Sequence, residues 1–255
     1  SEIMLQQTQA QTVIPYYNNW VKRFPSINTV AHADLVDILK LWEGLGYYAR
    51  ARNFYKASKI VVSRHSGEVP KNDQFILLPG VGNYIDAAVR SICFDLPLPV
   101  LDANVKRVVS RLLQLPMLSS KDMAAATDFL KQKISRRFPG NFNQSLMDLG
   151  RFVCKPSNPI CKQCPISQGC LSYKHQTINL YPKKRQRKIK PTFELAVAVI
   201  WKNDKFLVSK RKEDAMLGGL WEFPGGKIEK NETRVDCLKR EIKEELGVSV
   251  NPYRH

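Results

Sequence analysis

The sequence predicts a mainly α-helical domain followed by a smaller α/β domain, with a basic linker between them. Three observations carry this prediction. Apolar residues recur at helical spacing through the first part of the chain. Four of the six cysteines then fall within one short segment, from Cys154 to Cys170. After Pro191 the pattern becomes strand-like, before a single acid-rich helical stretch. A length of 255 residues is enough for two domains, and 44% apolar content suits a folded globular chain. The expected divisions are residues 1–175, a linker over 176–191, and residues 192–255.

In the first domain, Leu35, Ile38, Leu39 and Trp42 lie at helical spacing behind Asp34, an acid suited to a first turn. Gly44, Gly46 and Pro79-Gly80 punctuate the segment as turns. Leu78-Pro79-Gly80-Val81-Gly82-Asn83-Tyr84 reads as a tight glycine turn between two helices. Gly80 and Gly82 there let the backbone approach a phosphate and leave amides at a helix N-terminus pointing outward. Lys121 to Phe138 carries another amphipathic pattern. The run Lys183 to Lys190 has almost no apolar content; it reads as a solvated tether or as a direct phosphate contact.

In the second domain, Phe193 to Trp201 predicts a strand and Asn203-Asp204 a turn. Lys205 to Lys210 predicts a second strand, making a hairpin. A helix over Thr233 to Leu246 is stopped by Gly247, and Val248 to Val250 begins a further strand. So few elements could hardly bury a sheet, and Ser1 is not an initiator methionine. The chain is therefore expected to be cut at both ends.

The formal net charge is +17. That surplus attracts a polyanion, with nucleic acid the leading candidate and an anionic membrane surface the alternative. The longest apolar run, Leu195 to Trp201, is too short to cross a bilayer. No charged-then-apolar leader opens the chain, so secretion is not expected. The expected place is with DNA: in the cytoplasm at a bacterial nucleoid, or in a nucleus or mitochondrion.

Cys154, Cys161, Cys164 and Cys170 are spaced C-x6-C-x2-C-x5-C. Thiolates held that closely can surround one zinc ion or a four-iron cluster. A structural zinc site usually has two C-x2-C knuckles. A single one between unequal loops suits the corners of an iron–sulfur cube better. Two disulfides are disfavoured in a basic chain without a leader. Cys93 and Cys237 read as ordinary packed thiols.

Together, the L-P-G-V-G turn, Asp102 twenty residues beyond Gly82, and the four-cysteine loop resemble the endonuclease III superfamily of helix-hairpin-helix DNA glycosylases. Ser1 to Gln9 and Gly44 to Asn53 resemble the adenine DNA glycosylase (MutY) family within it. The resemblance covers residues 1–182. It implies a [4Fe–4S] cluster on the four cysteines, whose loop offers Lys155 and Lys162 to DNA.

Breaking an N-glycosidic bond needs an acid to protonate the departing base and a carboxylate near the developing oxocarbenium ion. By the resemblance, Glu2 is the acid acting on adenine N7, in a pocket dry enough to keep it protonated. Asp102 is the carboxylate beside the sugar, and Asn104 positions groups around it. Tyr84 stands where bifunctional relatives place a Schiff-base lysine. The resemblance therefore implies base removal without efficient strand cleavage. The target base must leave the helix, and Gln6 and Tyr47 fill the gap, with Gln7 a further DNA contact. Lys106 and Arg107 are candidate phosphate contacts. The implied partner is duplex DNA carrying adenine opposite 8-oxoguanine or guanine, bound by a monomer.

Gly226 to Glu232, seven residues, and Arg240 to Val248 match the Nudix box at every required position. Glu241, Glu244 and Glu245 fall within about one helical turn and could share Mg²⁺. Nudix hydrolases use such a site to cleave nucleoside diphosphate derivatives, whereas the family's C-terminal domains share the fold to recognise 8-oxoguanine. The alternatives are a nucleotide pyrophosphohydrolase activity, an endonuclease III-like pyrimidine glycosylase, and a non-catalytic lesion-binding protein.

Overall fold

The computed structural model describes residues 1–183, 191–212 and 218–253. The chain divides into two compact units, Ser1–Arg185 and Gln186–His255.

The first unit is helical: α1 Glu2–Leu5, α2 Ala10–Arg23, α3 Ile27–His32, α4 Leu35–Trp42, α5 Ala49–His65, α6 Asn83–Phe94, α7 Ala103–Leu113, α8 Ser120–Lys133, α9 Pro139–Asp148 and α10 Leu171–Lys174. α4 starts behind Asp34, and its apolar stripe buries Ile38 and Trp42 completely. Trp42 meets Trp20 of α2 edge-on at 5.8 Å. Burying each such side chain contributes about 1.5–3 kcal/mol. A second cluster, with Val61, Phe75 and Ile85, lies under the glycine turn. A third joins Val105 and Val109 of α7 to Leu130 of α8.

Two expected helices are shorter than the sequence pattern suggests. α8 opens with a capping box from Ser119 and Asp122 but ends at Lys133, not Phe138. Ile134 is extended and ends it, and Pro139 starts α9. Before the glycine turn stands one 3₁₀ turn, Phe75–Leu77, rather than a full helix. Leu78 precedes Pro79 and is extended, which ends the turn. Gly80 then takes φ +82°, and a Cβ there would lie 2.8 Å from Asn53 Cβ. Both features favour glycine.

Residues 177–183 are bonded to the first unit. Gln114 Nε2 donates to the Thr177 hydroxyl at 2.7 Å, and Arg111 Nε donates to the Tyr181 carbonyl at 3.0 Å. Lys183 N donates to the Pro116 carbonyl at 3.1 Å. The rest of the basic run, residues 184–190, lies outside the described residues. Among the described residues, no helix is long and apolar enough to cross a membrane.

The second unit holds three antiparallel strand pairs. β1 Leu195–Val197 pairs with β6 Gly225–Lys227, β2 Trp201–Lys202 with β3 Lys205–Phe206, and β4 Ser209–Lys210 with β5 Trp221–Glu222. Asn203 and Asp204 form the expected turn, both with positive φ. The two longer expected strands are each broken in two, because their halves pair with different partners. α11, Arg234–Leu246, is capped by the Thr233 side chain and stopped by left-handed Gly247. It packs on β1 and β6 and buries Cys237 and Ile242. Val248 to Val250 forms no strand, since it finds no pairing partner among the described residues.

Candidate functional site

Of the two expected catalytic carboxylates, Glu2 stands at the start of the first unit's sequence and Asp102 near its middle. Glu2 lies on the single turn of α1 and is half-buried. Tyr84, on the first turn of α6, donates its hydroxyl to Glu2 Oε2 at 3.1 Å. Burial pushes the Tyr84 phenol well above its ordinary pKa, and the charges of Glu2 and Asp102 push it further. The phenol is therefore a neutral donor to Glu2.

Asp102 caps α7. Its Oδ1 accepts from Val105 N at 2.6 Å and its Oδ2 from Asn104 Nδ2 at 3.1 Å. Asn104 Oδ1 in turn accepts from Arg107 at 2.9 Å. The Arg107 guanidinium turns inward and donates to the carbonyls of Cys154 and Gly150, at 2.7 and 2.6 Å. Helical spacing showed Arg107 beside Lys106, but not the carbonyls that capture it. Those belong to the π turn Leu149–Val153 and to Cys154, brought against α7 by the close approach of Gly150 to Asn104. Lys106 is half-buried on α7.

A cavity of about 330 Å³ opens beside Glu2, lined by Trp20, Trp42, Phe54, Phe75 and other apolar side chains. Cys93 also borders it and is exposed, not packed. It stands on the last turn of α6, after that helix's core positions end.

Gln6 ends α1, and Gln7 beyond it is exposed with φ +54°. Tyr47 takes φ +50° and is 60% exposed. A large side chain in left-handed geometry is uncommon, so Tyr47 is a presented residue rather than core. The residue that sequence reasoning passed over here is Arg50. It is buried, and its guanidinium donates to carbonyls of both the Ile3–Gln6 and the Leu45–Gly46 segments. Its only sequence signal is a charge in a helix that elsewhere buries small residues.

Gly80 and Gly82 form the turn ahead of α6, with Gly82 as its N-cap. The outward amides of that N-terminus suit an anion.

The four clustered cysteines are unbridged, and all line one small apolar cavity with Val108, Leu149 and Tyr173. Burial raises the Cys161 thiol, and the three other thiols raise it further. Arg111 is buried behind them, with Nη1 3.4 Å from Cys154 Sγ. Among the described residues, no three histidine, cysteine or acidic side chains are grouped tightly enough for a single metal ion. Four unbridged thiols lining one cavity form a donor set that suits a thiolate-bound centre. Lys155 and Lys162 are exposed on this loop.

The Nudix box is arranged differently from the expected metal triad. Arg240 donates to Glu232 at 2.8 and 3.0 Å, to Glu241 at 2.9 Å and to Glu244 at 3.5 Å. Glu245 accepts from Gly225 N at 3.4 Å. The guanidinium thus engages one oxygen of Glu241 and one of Glu244. Hydrogen bonds from Arg240 hold the Glu232 carboxyl down to about 2.

Residues 1–132 match the family described as HhH-GPD superfamily base excision DNA repair protein. Residues 192–254 match the NUDIX domain. A protein named adenine DNA glycosylase from Buchnera aphidicola subsp. Schizaphis graminum is 37% identical over 88% of this chain and 65% of its own length. One from B. aphidicola subsp. Baizongia pistaciae is 35% identical over 99% of this chain and 76% of its own. The human protein of that name is 31% identical, and the chain spans only half its length. The Arabidopsis thaliana relative is matched over 41% of its length. A solved thermostable thymine-DNA glycosylase superposes with a TM-score of 0.63 and 26% identity, covering 68% of this chain and 82% of that one. A trapped endonuclease III–DNA intermediate shares the fold, with a TM-score of 0.60 at 24% identity. The chain therefore belongs to the HhH-GPD superfamily of base excision DNA repair proteins and, within it, to the adenine DNA glycosylase family.

Proposed function

We propose that the protein is a monofunctional DNA glycosylase that releases adenine paired with 8-oxoguanine or guanine. The observation that carries this reading is the 3.1 Å bond from Tyr84 to Glu2.

Adenine leaves the duplex, and Tyr47 and Gln6 occupy its place. Tyr84 holds Glu2 through Oε2, leaving Oε1 to protonate N7 of the base. The glycosidic bond breaks as the base leaves neutral. Asp102 then offsets the positive charge on the sugar until water attacks. Val105 N and Asn104 hold the Asp102 carboxylate in place, so it need not reorganise as charge develops. Tyr84 offers no amine for a Schiff base, so the product is an abasic site.

The four cysteines hold a [4Fe–4S] cluster in this reading. When bound, the cluster supplies a rigid loop, residues 154–170, that presents Lys155 and Lys162 to the DNA backbone. In this reading the Nudix-like unit serves recognition around the base opposite adenine, as the family resemblance implies. Magnesium-dependent pyrophosphate release from 8-oxo-dGTP would instead assign it a hydrolase activity.

Incubation with an adenine:8-oxoguanine duplex under single-turnover conditions tests the proposal. Free adenine and an alkali-labile strand are expected, with no covalent adduct after borohydride. A trapped adduct would contradict the monofunctional assignment.

A further inference from the structure

Arg50 joins two segments that are far apart in sequence. Nη1 donates to the carbonyls of Ile3 at 3.3 Å, Met4 at 2.7 Å and Gln6. Nη2 donates to the carbonyls of Leu45 at 3.3 Å and Gly46 at 3.2 Å. The guanidinium also stacks over the rings of Trp42 and Tyr47, at 5.4 and 5.2 Å.

Each segment needs such a partner. α1 is one turn long, too short to be stable alone, and its last carbonyls lack helical donors. Tyr47 is exposed on a left-handed backbone that is costly for a large side chain to maintain. One planar cation satisfies the first segment and braces the second.

We propose that Arg50 is a positioning residue that sets Gln6 and Tyr47 in one register, so that both enter the duplex together while Glu2 faces the extruded base. This rests on the glycosylase reading above. Lysine cannot replace it, because a point ammonium has neither the planar fork nor the stacking face.

The test is a double-mutant cycle in the full chain between Arg50→Lys and Tyr47→Ala, read by 2-aminopurine fluorescence at the target position. Arg50→Lys is expected to slow base extrusion about tenfold in the wild-type background, because a small misplacement of contact groups is amplified at a site. In the Tyr47→Ala background the further loss should be less than about twofold, since coupled residues are not additive. Equal losses in both backgrounds, or a lowered melting temperature with unchanged extrusion, would overturn the proposal.

Hydrogen exchange of the wild type gives a second measurement should Arg50→Lys fail to fold. Amides of residues 3–8 and 45–49 should gain protection together on binding an abasic duplex. Protection of one segment alone would overturn the proposal. Coupled extrusion without adenine release would remove the glycosylase reading and leave this assignment standing.

Discussion

The two units both gather carboxylates, and they partner them in opposite ways. In the first, Glu2 receives a neutral phenol and Asp102 receives a backbone amide and a side-chain amide. The Arg107 guanidinium is bonded to Asn104. In the second unit Glu232, Glu241 and Glu244 all meet the Arg240 guanidinium. A neutral donor orients a carboxylate and leaves it able to take up or hold charge. A bound guanidinium fixes it in its ionised form and makes it a strut. The first arrangement suits chemistry, and the second suits holding α11 to its loop.

If that contrast is right, substitutions in the two places should differ in kind. The largest effect is expected from Asp102→Asn, which keeps the α7 cap but removes the charge. Adenine release should fall about a thousandfold with the melting temperature nearly unchanged; a drop of only a few-fold would break the contrast. Next, Tyr84→Phe removes the donor to Glu2 and should slow release about tenfold, again in single-turnover assays. Retained wild-type rates would show that Glu2 is oriented by something else.

Cys161→Ser tests the cysteine loop. The cluster's visible absorbance should be lost, and duplex affinity should weaken about tenfold as Lys155 and Lys162 lose their placement. Unchanged colour and affinity would mean that the ligand set is different.

The smallest effect belongs to the second unit and is one of stability. The Glu232 carboxyl sits at about 2 against an ordinary 4.5, so its folded value is depressed. Its contribution is complete above about 4.5 and is lost as pH falls through about 2. Melting of the wild type should therefore shift down across that window, and the shift should shrink in Arg240→Met, with adenine chemistry untouched. A wild-type curve flat with pH would argue that the ion pair is not formed in solution.

Much of this was legible in the sequence because it is local. The stripe Leu35 to Trp42, the glycines at 80 and 82, and the Thr233 and Gly247 ends of α11 each act through neighbours within a turn or two. The roles proposed for Glu2 and Asp102 rest on motif resemblance, and the fold shows how each side chain is held. What stayed hidden depends on partners distant in sequence. Arg50 and Arg107 look like surface cations until the fold brings carbonyls 43 to 47 residues away against them. The short strands of the second unit were unreadable for a related reason. A run of β-prone residues does not say which half pairs with which partner.

The most direct test of the account is adenine release by Glu2→Gln, compared with Glu241→Gln on the same adenine:8-oxoguanine duplex. The account predicts that Glu2→Gln abolishes release while still binding the duplex, and that Glu241→Gln releases adenine at close to the wild-type rate. Substantial release by Glu2→Gln would contradict it.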